Sequence, residues 1–292
     1  MHNRFTYEKI PIKIFNDAIH ASKKVAQEIA LLIRNKATEN KPCILGLATG
    51  NTPKIVYNEL IKMHKQEGLS FKHVITFNLD EYYPMHKEAS QSYYRFMHEH
   101  LFDHIDILPQ NCYIPDGNID VTAIPSFCKA YEEKIDQYGG IDLQLLGIGS
   151  NGHIGFNEPG SLMNSPTRLM MLDHSTRVAA IGDFGGHLSY VPKKAITLGV
   201  NKIIQAKRII LLAWGEHKAD IIAKAVEGKV LEEVPASYLQ THTNTTFIID
   251  DEAAKKLTRI KTPWLIDTVT WNTPMIIKAV THLALILNKP IL

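Results

Sequence analysis

Cysteine is scarce in this chain: Cys43, Cys112 and Cys128 are odd in number and form no CxxC pair. A disulfide framework and a zinc site of usual spacing are therefore excluded as readings, and a reducing compartment fits. Charge of one sign is missing too. Lysine and arginine number 32 against 30 acidic residues, a net charge of +2, and no basic run offers a nucleic-acid or membrane footprint. No stretch reaches the roughly 18 uncharged apolar residues of a membrane span. The opening "MHNRFTYEKIPIKIFND" has no apolar h-region, so a cytoplasmic location is expected. Low-complexity linkers, fixed-period repeats and charge blocks are absent as well, which favours one domain over residues 1–292.

What is present is alternation. The chain has 292 residues, 45% of them hydrophobic, enough for a large core. Apolar residues recur at helical spacing from Asn16 to Lys36 (Ile19, Ala26, Ile29, Ile33), with Asn16 or Asp17 placed as cap. "CILGLATGNTP" then reads as strand and loop before "KIVYNELIKMHKQEG", a helix stopped by Gly68. "HVITFNLDEYYP" is a further strand, followed by helices near Ser92 to Phe102 and Ser126 to Tyr138. "IDLQLLG", "RIILLAWGEHKADIIAKAVEG" and "TTFIIDDEAAKKL" continue the pattern, with Asp250, Asp251 and Glu252 at a helix start. Fully apolar strands between amphipathic helices predict an α/β fold, a parallel sheet covered on both faces. The tail "WLIDTVTWNTPMIIKAVTHLALILNKPIL" predicts a final helix capped by Thr273, with Pro274 at its first position, packed on the sheet in preference to forming an exposed partner surface.

Ligands of open parallel sheets bind beyond the carboxyl ends of the strands, so the strand-ending loops are the candidate sites. "LATGNTP" puts Thr49, Gly50, Asn51 and Thr52 before a helix, where free N–H groups favour an anion; the P-loop and GxGxxG spacings are absent. "FNLDEYYP" ends its strand on Asp80 and Glu81. Adjacent strand residues point opposite ways, so at most one of the two faces a given cleft as a base. In "GIGSNGHIGFNEPGS", four glycines surround His153, a group that titrates near neutrality, and Glu158 could orient it. Lys218 in "WGEHKAD" is placed beside the same sheet edge for a phosphate. His98, His100 and His104 have no HExxH pattern and read as a surface face.

From about Lys41 to Glu252 the chain resembles the glucosamine-6-phosphate deaminase family, through "LGLATGNTP", "TFNLDEYY", "SYYRFMHEHLFDHIDI", "GHIGFNEPGS", "HSTRVA", "KKAITLGV" and "KAVEG" in one order. The resemblance implies a modified Rossmann-like fold, an open, mostly parallel sheet with helices on both faces. It also implies a reaction: glucosamine 6-phosphate and water give fructose 6-phosphate and ammonia, with no metal or organic cofactor. His153 matches the ring-opening residue, Glu158 its support, Asp80 the base for the C2 proton, Thr49 to Thr52 the phosphate loop and Lys218 the phosphate-binding lysine. An amino-sugar phosphate is the implied partner, and a homo-oligomer stays open.

Three positions depart from the family pattern. The family loop reads GNDGHI, and Asn151 stands at its acid, removing a negative charge that favours imidazolium, so slower ring opening is expected. Gly182 stands at a phosphate-binding arginine, with Arg177 matching a different position. Ser161 and Arg168 match an allosteric serine and arginine, but Met170 stands at the accompanying lysine, which leaves a remnant of that site. "TPWL" resembles longer relatives in which this domain precedes a deacetylase-like one. Two alternatives therefore stay open: an enzyme acting on another amino-sugar phosphate, and a sugar-phosphate sensor. Retention of Asp80, His153 and Glu158 argues against the sensor.

Overall fold

The computed structural model describes residues 7–291. β1 (Ile12–Phe15) leads into α1 (Ala18–Thr38), whose N-cap Asp17 accepts a hydrogen bond from the His20 backbone N–H. β2 (Cys43–Leu47) and α2 (Lys54–Glu67) follow, the helix closed by Gly68 in the left-handed region at φ 69°. β3 (Val74–Asn78) breaks at Leu79 and β4 (Asp80–Tyr83) begins immediately after it. The sequence reading of one strand ending on the two acids is thereby corrected. The chain leaves the main sheet at Leu79, and Asp80 opens a strand in a second sheet.

α3 (Tyr93–His100), β5 (Cys112–Tyr113), α4 (Ile124–Gln137), β6 (Leu143–Leu146) and β7 (Arg168–Met171) come next. They are followed by α5 (His174–Ala179), β8 (Lys194–Thr197), α6 (Val200–Ile204), β9 (Ile209–Ala213), α7 (Ala219–Glu227) and β10 (Thr245–Asp250). Three helices close the chain: α8 (Asp251–Ala254), α9 (Thr258–Lys261) and α10 (Thr273–Leu287).

Seven strands form an all-parallel sheet in the order β1-β10-β9-β6-β2-β3-β5. Alternate residues feed opposite cores. Cys43, Leu45, Leu47, Leu143, Leu145, Ile210 and Leu212 pack against α1, α2 and α3, while Ile44, Leu146, Ile209, Leu211 and Phe247 pack against α4 and α7. Each such side chain contributes roughly 1.5–3 kcal/mol by leaving water, which is why both strand faces read as apolar. Gly46 is the exception. A Cβ there would lie 2.0 Å from Gln144 Oε1 on the neighbouring strand, so the glycine makes room for that side chain between the central pair of strands.

The order of strands positions the ligand cleft. From β2 the chain moves outward to β3 and β5, and from the adjacent β6 it moves the other way to β9 and β10. The loops after β2 and β6 diverge, opening a crevice at the carboxyl ends. A three-stranded antiparallel sheet, β4-β8-β7, walls this crevice.

Two expectations for the tail are overturned. Asn272, not Thr273, is the N-cap of α10, its side chain accepting from the Met275 N–H, because Pro274 occupies the first turn. The helix is also not packed on the sheet: none of its residues is buried, and Ile277, Leu285 and Ile286 are 60%, 75% and 65% exposed. Lys278 Nζ donates to the Ile260 carbonyl of α9 and His282 meets the Trp264 ring. Among the described residues no helix is long and apolar enough to cross a membrane.

Candidate active site

The crevice is a cavity of about 380 Å³. Thr49, Gly50, Asn51 and Thr52 line it from the loop after β2, His153 from the loop after β6, and His217 and Lys218 from the loop after β9. Asp80 closes it from the start of β4. Every residue that sequence reasoning placed at the phosphate end thus faces one cavity with Asp80 and His153.

The loops after β2 and β9 are held by backbone-directed bonds. The Tyr57 hydroxyl donates to the Ala48 carbonyl, and Trp214 Nε1 donates to the Thr52 carbonyl at 3.4 Å. Gly215 N donates to the Asp250 carboxylate at 3.0 and 2.9 Å, and the same Asp250 accepts from Ala253 N to cap α8. Lys218 Nζ donates to the Ile148 carbonyl at 2.8 Å, and burial lowers its pKa. The ammonium is thereby held at the cavity wall, where an anion would offset its lost hydration.

The two acids separate as the strand geometry requires. Asp80, 5% exposed, turns to the cavity, while Glu81, 1% exposed, turns away and accepts from the backbone N–H groups of Tyr82, Tyr93 and Tyr94 at 2.9 to 3.0 Å. Glu81 thus holds the start of α3, whose Tyr93 reaches the cavity. Burial pushes the Asp80 carboxyl up to about 8; the neighbouring Glu81 adds to that rise and the Phe156 N–H opposes it. Glu81 is itself raised by burial to about 7. A carboxylate poised near the working pH is suited to take a proton from carbon. Gly155, at φ 56°, leaves the room: a Cβ there would lie 3.2 Å from Asp80 Oδ2.

His153 lies against Gly149, where a Cβ would come within 2.2 Å of the imidazole ring. Its Nδ1 is 3.3 Å from Glu158 Oε2 and 3.3 Å from Thr176 Oγ1. Asn151 does not touch the ring. Its amide donates to Glu158 Oε2 at 2.9 Å, and its Oδ1 accepts from the His153 backbone N–H at 3.2 Å. Burial works to raise the Glu158 carboxyl, but hydrogen bonds from His153, Asn151 and Thr176 reverse this and leave it below the usual range.

Ser161 and Arg168 lie outside the cavity. Arg168 Nη2 donates to Ser161 Oγ at 2.8 Å and Nη1 to Asn157 Oδ1 at 3.0 Å; Arg168 borders a separate cavity of about 450 Å³ beside α4. Arg177 spends its Nη2 on the Leu188 and Val191 carbonyls, pinning the segment over the cleft, while Gly182 is exposed with open space around it. His98 and His104 bond locally to Asp103 and the Glu99 carbonyl. Sequence reasoning missed the aromatic wall of Tyr82, Tyr93 and Phe156, and also Thr176, Asp183 and His217. The aromatics stood inside quoted motifs, but no spacing distinguished them from core residues.

A family model described as glucosamine-6-phosphate isomerases/6-phosphogluconolactonase matches residues 16–248. A glucosamine-6-phosphate deaminase-like protein of Bacteroides thetaiotaomicron is 47% identical over 285 residues, 98% of this chain. The chain spans only 43% of that relative's length. Glucosamine-6-phosphate deaminase 2 of Bacillus subtilis is 48% identical over 229 residues, covering 78% of this chain and 91% of the enzyme. A solved monomeric glucosamine-6-phosphate deaminase superposes with a TM-score of 0.80 at 40% identity, covering 85% of this chain and all of its own. With a sheet and cleft of this kind and matches over most of its length, the chain belongs to the glucosamine-6-phosphate isomerase/6-phosphogluconolactonase family.

Proposed function

We propose that the chain converts glucosamine 6-phosphate and water to fructose 6-phosphate and ammonia, an aldose-ketose isomerisation with deamination in amino-sugar catabolism. The observation that carries this reading is the meeting of Asp80, His153, Lys218 and the Thr49–Thr52 loop in one cavity of about 380 Å³. The named deaminases it matches over most of their lengths support it. Lys218 and the N–H groups of Thr49, Gly50, Asn51 and Thr52 bind the phosphate. His153, supported by Glu158 and Asn151, takes the proton of the C1 hydroxyl as the ring opens, and the ring oxygen gains one. Asp80 then removes the C2 proton and returns it to C1 while the C1 oxygen takes a proton from the amine, leaving an iminium at C2. Water adds there, and the carbinolamine expels ammonia. The side chains are asked only to move protons, so no cofactor enters the scheme. Free Cys43, Cys112 and Cys128 suit a reducing cytoplasm as its setting.

The test is ammonia release from the purified chain with glucosamine 6-phosphate, run beside thermal-shift binding of the same sugar. Turnover with binding is expected. Binding without ammonia would replace the deaminase reading with a sensor or another amino-sugar phosphate.

A further inference from the structure

We infer that Thr176 is the positioning residue for the imidazole: its hydroxyl, set between His153 Nδ1 and the Glu158 carboxylate, fixes which ring nitrogen is free to take the substrate's proton. The inference rests on the proposed ring-opening role of His153. Thr176 lies in the first turn of α5, is 8% exposed and borders the cavity. Its Oγ1 is 3.3 Å from His153 Nδ1, and it also hydrogen-bonds Glu158.

The reasoning is a count of protons. A hydroxyl has one proton and two lone pairs, and an ionised carboxylate only accepts. The Thr176 proton therefore goes to Glu158, and what the hydroxyl offers His153 is a lone pair. Glu158 Oε2, 3.3 Å from the same nitrogen, also needs a donor. Two acceptors facing Nδ1 require that it carry the hydrogen, and the Nε2 lone pair is then bare. Among the described residues Nε2 has no hydrogen-bond partner, so it is available to a substrate hydroxyl.

Asn151 explains why this falls to a threonine. Both ends of its amide are occupied, one by Glu158 and the other by the His153 backbone N–H, and neither reaches the ring. Thr176 is the side chain beside Glu158 that does. The same turn of α5 also holds the carboxylate from its other oxygen, since the Asp173 N–H donates to Glu158 Oε1 at 3.2 Å. The segment that lines the cleft thus orients the base as well.

Thr176→Val removes the hydroxyl at nearly constant volume, and Thr176→Ser keeps it. The valine variant is expected to lose about tenfold or more in kcat for ammonia release with KM within about threefold, and the serine variant to recover most of the loss. Nitrogen-15 NMR of the histidine side chains, with His153 assigned by its disappearance in His153→Gln, is expected to show the Nδ1–H tautomer in the parent and the serine variant. In the valine variant a tautomer mixture is expected. Unchanged kcat with an unmoved tautomer in Thr176→Val would overturn the inference. So would a serine variant as impaired as the valine one, since the methyl rather than the hydroxyl would then matter. A parent chain that releases no ammonia would sink the deaminase reading alone; the tautomer measurement would still decide the role of Thr176.

Discussion

In the proposed reaction Asp80 takes a proton from carbon only when ionised, and burial with the Glu81 charge beside it puts its pKa at about 8. Ammonia release is therefore expected to fall as pH drops below about 8, and a pH series of kcat/KM measures this. Asp80→Asn should lower kcat by about 10²–10⁴, the usual contribution of a general base, while leaving sugar-phosphate binding within a few fold. Asn151 carries a different expectation from the one its sequence position suggests. The missing charge alone argues that Asn151→Asp would speed ring opening. In the structure the amide donates to Glu158 at 2.9 Å, so an aspartate would set two carboxylates in contact and compel them to share a proton. Turnover at neutral pH should fall by about tenfold; a gain would show that charge, not donation, limits the step. Gly182 has open space around it and neighbours Asp183, which borders the cavity. Gly182→Arg should lower KM for glucosamine 6-phosphate about three- to tenfold through a charge-assisted phosphate contact. An unchanged KM would mean that the segment does not reach the phosphate.

At the scale of elements, the break at Leu79 matters most. A strand continuing straight would have carried Asp80 along the main sheet; instead β4 pairs with β8 across Asp80 and Thr197, so the carboxylate enters the cavity as that strand's first residue. Glu81 then anchors α3 through the Tyr93 and Tyr94 backbone N–H groups, which secures Tyr93 in the cavity wall. α10 stands at the opposite extreme. None of its residues is buried, and what precedes it is held by α9, where Thr258 bonds to Glu227. Ending the chain after Thr262 should shift the melting temperature by less than about 2 °C and leave ammonia release unchanged, because surface contacts contribute little. A large loss in either would mean that this helix supports the core in solution.

Over the whole molecule, the cleft is kept at a cost to stability. The folded state holds the Asp80 proton more tightly than the unfolded chain, whose aspartate titrates near 3.9. That preference favours folding below about pH 4 and is lost progressively as pH rises toward 8, where the buried carboxyl must ionise. Asp80→Asn removes the titration. The variant should melt above the parent at pH 8, with the gap shrinking toward pH 4; equal melting temperatures across that range would show that Asp80 is solvated when charged. A variant that is more stable yet inactive is the expected mark of a residue kept for chemistry.

The amino-acid sequence by itself determined the parallel α/β layering, because apolar strands and amphipathic helices alternate at local periods, and it marked Asp80, His153, Glu158 and Lys218 through strand-ending loops. It also implied that Asp80 and Glu81 face opposite ways, since that follows from strand geometry within two residues. Only the tertiary structure decided the rest. The antiparallel β4-β8-β7 sheet joins segments more than 80 residues apart, as in the pairing of Asp80 with Thr197. The contact between Thr176 and His153 spans 23 positions, and Asn151 turned out to serve Glu158 instead of the imidazole. The exposure of α10 reversed the expectation drawn from its apolar composition. Periodicity records which face of an element is apolar, whereas the neighbour that covers the face, and the partner that takes each hydrogen bond, are set by the path of the chain between them.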